Sequence, residues 1–135
     1  MQFKVRDWKV DLIVYVDPDT TVTHALELMR RRYIHSLIVS QTLDNPEFGI
    51  VTSTDISDKI IAQEFNPSQV KVREIMNSPL ITIPQEWSLK DCAIKMKENR
   101  IHHLPVVNEA GELVGMISDT DFLAAAEAMA SNPTP

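Results

Sequence analysis

One eight-residue phrase is written twice in this chain: GIVTSTDI at 49–56 and GMISDTDF at 115–122, 66 positions apart. Each reads glycine, two apolar residues, a hydroxyl residue, a variable residue, threonine, aspartate and an apolar residue. The match runs well beyond the phrase. Val5-Arg6-Asp7-Trp8 aligns with Val72-Arg73-Glu74-Ile75, and Val22, Ala25, Leu26 and Met29 align with Leu89, Cys92, Ala93 and Met96. Ile34-His35 and Leu37 align with Ile101-His102 and Leu104, and Pro18 with Pro84. The offset is 66 or 67 throughout, each change being a one-residue indel at an expected loop. A chain duplicated over about 60 residues per copy must build one supersecondary unit twice, and it stacks the two to bury what neither can bury alone.

Each copy gives the same order of elements. A short apolar run, 12–16 or 80–83, precedes a proline that ends a strand. The next apolar residues fall at i, i+3, i+4 and i+7, one face of a helix. Thr21 and Ser88 stand at the N-cap positions, and Asp91 adds negative charge to the first turn. A β-branched run follows, then a turn, at 108–111 in the second copy and at the longer 41–47 in the first. The repeated phrase then supplies a third strand and opens a second helix. Ile56, Ile60, Ile61 and Phe65 form the apolar stripe expected in one such helix, and Phe122, Leu123, Ala126 and Met129 in the other. The expected fold is α+β: two β-α-β-β-α repeats packed through their sheets in pseudo-twofold fashion. The boundaries are repeat 1 at 1–66, a linker at 67–71, repeat 2 at 72–130 and a frayed tail at 131–135.

Composition narrows the function. The formal net charge of −6 disfavours non-specific binding to nucleic acid or anionic membrane. A lone cysteine, Cys92, forms no internal disulfide and fits a reducing compartment. No apolar run approaches membrane-spanning length, and the first ten residues lack a signal-peptide apolar core, so a soluble cytoplasmic setting is expected. There is no phosphate loop and no G-x-G-x-x-G. The histidines and carboxylates make no convincing acid–base set, and no His or Cys spacing suits zinc.

The repeated phrase carries the chemistry. Thr52 and Thr54, and Ser118 and Thr120, sit two apart, so on an extended segment both hydroxyls of a pair face one side. Beside helix amides they can hold an anion, or simply cap the helix. Asp55 and Asp121 close the phrases, with helix-end stabilisation as the plain reading. His35 and His102 precede the second strands in matching places, and His103 follows where the first copy has Ser36.

With V-R-E-I-M at 72–76, I-H-H-L-P-V at 101–106 and the phrase G-h-h-[ST]-x-[ST]-D in both copies, the chain resembles a tandem pair of CBS domains, the regulatory module named after cystathionine β-synthase. The resemblance implies a non-catalytic module whose clefts between repeats bind adenosine-containing ligands: AMP, ADP, ATP or S-adenosylmethionine. It implies dimerisation into a flat disc and signalling to an attached or partner protein. It gives Asp55 and Asp121 the ribose hydroxyls, and it places Thr52, Thr54, Ser118, Thr120, His35, His102 and His103 at phosphate or cleft wall. Thr82 becomes a polar member of the adenine slot. A carboxylate suits the sugar because it can accept from both ribose hydroxyls, as in dinucleotide-binding folds. His103 departs from the arginine commoner in relatives. No resident cofactor or metal is expected, and the partners expected are an adenosyl ligand and a second copy of the chain. A ligand-free dimerisation module is the first rival reading, and a small phosphohydrolase the second.

Overall fold

A computed structural model describes residues 3–131. The expectation of a tail at 131–135 lies outside the described residues except for Ser131, the last residue of a helix. The chain divides into two compact units. The central unit is Ile13–Leu80; the split unit combines the described residues of Met1–Leu12 and Ile81–Pro135.

In the central unit, β1 (Tyr15–Val16) leads to α2 (Val22–Arg32), β2 (Ser36–Val39) and β3 (Gly49–Thr52). In the split unit, β4 (Ile83–Pro84) leads to α4 (Leu89–Asn99), β5 (His103–Val107) and β6 (Leu113–Ser118). Each set makes a three-stranded mixed sheet in chain order, the first pair parallel and the second antiparallel. A helix follows each third strand: α3 (Ser53–Ile56), continued by a π-helical turn at Ser57–Ile61, and α5 (Asp119–Ser131). The α+β expectation therefore holds.

Local signals act where the sequence puts them. The Thr21 hydroxyl accepts from the His24 amide (3.2 Å) and the Ser88 hydroxyl from the Asp91 amide (3.1 Å), so both N-caps form. The 108–111 turn closes with the Gly111 amide on Asn108 O (3.0 Å) at a Gly111 φ of +79°, a left-handed conformation that glycine adopts without strain. Two expectations need correction. The first strands pair over two residues each, not over the whole of 12–16 and 80–83, and Pro84 lies within its strand. The last-helix stripes also differ. Ile60 is buried but Ile61 is 70% and Phe65 56% exposed, because a π turn takes up more residues than an α turn and rotates later side chains off the face. In α5 the buried residue is Ala125, while Leu123 is 71% exposed.

The leading segments complete cores that the linear repeats would not suggest. Val5, in α1 (Val5–Trp8), is fully buried among Ile83, Leu89, Cys92, Leu104 and Ile117. Val72, in a 3₁₀ turn (Val72–Glu74), is fully buried among Val16, Val22, Leu37 and Val51. Each segment then bridges the strand carrying the repeated phrase. Val10 and Met116 exchange both amide–carbonyl bonds, as do Asn77 and Ile50. The repeated glycines permit this approach. A Cβ on Gly115 would stand 2.5 Å from Val10 O, and one on Gly49 would stand 2.5 Å from Met76 Sδ.

Cys92 is completely buried on α4. Desolvation pushes its thiol up from 9.0 to about 12, with Lys95 pulling it partly back. A folded-state value raised above the unfolded one adds stability that is complete below the ordinary thiol range and is lost as pH climbs towards about 12. Native protein is therefore expected to resist a thiol reagent at pH 8 until denaturant is added. Cys92→Ala should reduce the loss of unfolding free energy measured between pH 9 and 11.

Candidate functional site

The repeated phrase places a carboxylate three residues past the end of β3 or β6 in each unit, and the chain around it folds back in the same way. In the central unit the Thr52 amide donates to Asp55 Oδ2 (2.9 Å), as does the Thr52 hydroxyl (3.4 Å). In the split unit the Ser118 amide (2.8 Å) and hydroxyl (3.3 Å) donate to Asp121 Oδ2. These contacts fasten the carboxylate to the strand end, as in one arm of a capping box. The loop before the second strand is tied to the same place. Ser53 N donates to His35 O (3.0 Å) and Asp119 N to His102 O (3.1 Å). Ser36 is the cross-strand partner of Thr52, and His103 that of Ser118.

The structure thus gathers His35, Thr52, Thr54 and Asp55 in the central unit, and His102, His103, Ser118, Thr120 and Asp121 in the split unit. Thr54, Thr120, His35 and His102 are exposed; Thr52, Ser118 and His103 are half-buried. The Ser118 and Thr120 hydroxyls lie 2.7 Å apart, Ser118 ending β6 and Thr120 lying in the first turn of α5, so their proximity comes from the strand-to-helix turn and not from the extended segment expected. Thr82 is one residue ahead of β4, and its carbonyl accepts from Lys95 Nζ (3.1 Å). Lys95 also stands over the Trp87 ring, 5.2 Å from its centroid, so this lysine is committed to its own unit. His102 Nδ1 approaches Asp119 Oδ2 at 3.2 Å, and both line a cleft of about 420 Å³. Lys97 and Arg100 add positive charge to that cleft, and Met96, Ile101 and Phe122 add apolar wall.

The two carboxylates part company at their second oxygen. Asp55 is only 4% exposed. Its Oδ1 accepts from Asn77 Nδ2 (3.0 Å) and pairs with Lys59 Nζ (3.0 Å). Lys59 also donates to Ile75 O (2.8 Å) and reaches Asn77 Oδ1 at 3.5 Å. A carboxylate offers about four acceptor positions; at Asp55 two are taken by Thr52 and two by Lys59 and Asn77. Asp121 is half-buried. By the offset of 66, the position matching Lys59 is Ala125. The shared bridge to the phrase strand makes Val10 the match for Asn77. Neither Ala125 nor Val10 carries a side-chain donor.

Sequence reasoning did not single out Lys59 or Asn77. Lys59 had a readable signal, since it stands four residues after Asp55 in a helical stretch, the spacing at which opposite charges meet. Asn77 had none, because its position opposite the phrase strand depends on how the leading segment docks. Among the described residues no group of three or more His, Cys, Asp or Glu could hold a metal ion. No described helix is long and apolar enough to cross a membrane.

The family model of the CBS domain matches residues 5–62 and 72–128. An uncharacterised protein of Methanopyrus kandleri is 30% identical over 111 residues, covering 82% of this chain and 56% of that protein. The chain therefore spans little more than half the length of that relative. An uncharacterised conserved protein of Pyrococcus horikoshii of known structure superposes with a TM-score of 0.81 at 29% identity, covering 93% of each chain. A CBS domain pair solved in complex with 5′-methylthioadenosine and S-adenosyl-L-methionine superposes with a TM-score of 0.79, covering 95% of this chain and 98% of that one. At 23% identity this last likeness is one of fold.

Proposed function

The chain belongs to the CBS domain family, and from that membership we propose that it is a regulatory module sensing an adenosine-containing ligand, with Asp121 gripping the ribose. The observation that carries this reading is the contrast at the second carboxylate oxygen. Asp121 is fastened through Oδ2, and among the described residues the positions of Lys59 and Asn77 are taken in its unit by Ala125 and Val10, which carry no side-chain donor for Oδ1. Two vicinal ribose hydroxyls are donors that a half-buried carboxylate can accept together. The paired hydroxyls of Ser118 and Thr120, with His102 and His103, supply polar groups beside it for a phosphate or sulfonium-bearing substituent. A fold shared with a domain pair that carries two adenosyl compounds agrees with the ligand class.

Sensing would work by differential affinity. The ligand shifts the module towards the conformation it binds better, and an attached or partner protein, or a second copy of the chain, responds to that population. In this reading the Asp121 carboxylate accepts from the ribose hydroxyls, and the module acts by binding and not by catalysis.

The test is a calorimetric titration with AMP, ADP, ATP and S-adenosylmethionine. At least one is expected to bind, and Asp121→Ala is expected to weaken it by about 10- to 150-fold. That is the worth of one hydrogen bond to a charged acceptor, about 1.5–3 kcal/mol, and full loss of both ribose bonds would exceed it. A folded protein indifferent to all four would favour the ligand-free dimerisation module.

A further inference from the structure

We propose that Lys59 and Asn77 are a built-in occupant of the first repeat's sugar-binding carboxylate, so that the chain takes one adenosyl ligand, at Asp121, and not two. The inference rests on the ribose reading of Asp121 above and adds that the two repeats are functionally inequivalent.

The lock is complete on both sides. Lys59 has three donor hydrogens and meets three acceptors: Asp55 Oδ1, Ile75 O and Asn77 Oδ1. Asn77 gives its amide N–H to Asp55 Oδ1. The two groups occupy the acceptor positions that two ribose hydroxyls would need. For a ligand to displace them it must strip a carboxylate that is 4% exposed of its ammonium and amide donors, and Lys59, which is 38% exposed and keeps Ile75 O, regains only part of that pairing from water. The π turn at Ser57–Ile61 contains Lys59. Thus the feature that rotates Ile61 outward lies in the same turn that carries the ammonium to Asp55. The split unit has a regular α-helix there, with Ala125 buried in its core at the matching position.

Four proteins decide the matter, wild type and three variants, each titrated with AMP, ATP and S-adenosylmethionine. Wild type is expected to bind one equivalent per chain. Asp121→Ala is expected to bind none at comparable affinity. The double variant Lys59→Ala, Asn77→Val, which copies the residues of the split unit onto the central unit, is expected to gain a second equivalent. Two equivalents in wild type, or one equivalent that survives Asp121→Ala and is lost in Asp55→Ala, would overturn the inference while leaving an adenosyl sensor standing. Absence of binding in every protein would overturn the ribose reading, and the inference with it. The lock is also read without ligand, by thermal unfolding of Lys59→Met, Asp55→Asn and their combination. The neutral pair is expected to melt above the value given by summing the two single shifts, and strict additivity would show that Lys59 and Asp55 are not coupled.

Discussion

Asp55→Ala is expected to lower unfolding free energy by about 2–4 kcal/mol, against about 1 kcal/mol for Asp121→Ala. The two residues hold the same place in the repeated phrase, so their difference isolates what surrounds them. Removing Asp121 forfeits the contacts from the Ser118 amide and hydroxyl, a helix-start contribution. Removing Asp55 forfeits the equivalent contacts from Thr52 and leaves Lys59 and Asn77 facing a vacated, buried position. Breaking a fully buried pair costs about 3–5 kcal/mol. The Lys59 side chain is 38% exposed, so water recovers part of its solvation and the figure falls below that range. Chemical denaturation of the two variants measures the difference, and equal losses would contradict it. For a domain whose whole stability is about 5–15 kcal/mol, the larger loss lowers Tm by about 5–15 °C.

Gly115→Ala is expected to cost about 1–3 kcal/mol and Gly49→Ala distinctly less. Both glycines open the repeated phrase, and both lie under a leading segment. The added methyl at Gly115 would meet a backbone carbonyl, that of Val10, at 2.5 Å, with Lys9 Cδ at 2.9 Å. The Val10 carbonyl is held by the Met116 amide (2.9 Å), so relief means lifting the segment off β6. Val5 would lose its anchor in the same movement. At Gly49 the close atom is the Met76 sulfur, part of a flexible thioether that can turn aside. Hydrogen exchange adds a local readout, since Gly115→Ala should expose the Val10 and Met116 amides before the rest of the split unit. A larger cost at Gly49 than at Gly115 would mean that the carbonyl contact does not govern these positions.

These glycines also mark how far the sequence could be read. The duplication, the caps at Thr21 and Ser88, and the 108–111 hairpin are local patterns, and each formed as the pattern implied. That the phrase begins with glycine was visible, but its reason was not, because the atom it avoids belongs to a segment more than a hundred residues away in the split unit. Val5 and Val72 matched as a repeated V-R-[DE]. No property of that tripeptide says which core will bury it.

The last helices were misread for a different cause. A 3.6-residue period was applied to Ile56, Ile60, Ile61 and Phe65, and a π turn at Ser57–Ile61 broke the period. In α5 the alanine-rich stretch gives little periodic contrast, and the single buried position, Ala125, is not among the bulky residues that drew attention. At the site, the residue types and their spacing were legible and the environment was not. Asp55 and Asp121 look alike in the sequence. They differ in space because the central unit has Lys59 and Asn77 where the split unit has Ala125 and Val10.

The sugar grip itself can be measured with one pair of ligands. The adenosine compound that binds wild type is titrated beside its 2′,3′-dideoxy analogue, against wild type and Asp121→Ala. If Asp121 holds the ribose, wild type prefers the ribose form by at least about tenfold and Asp121→Ala has almost no preference. Equal affinity of wild type for the two ligands, or a preference that persists without the Asp121 carboxylate, would contradict the account.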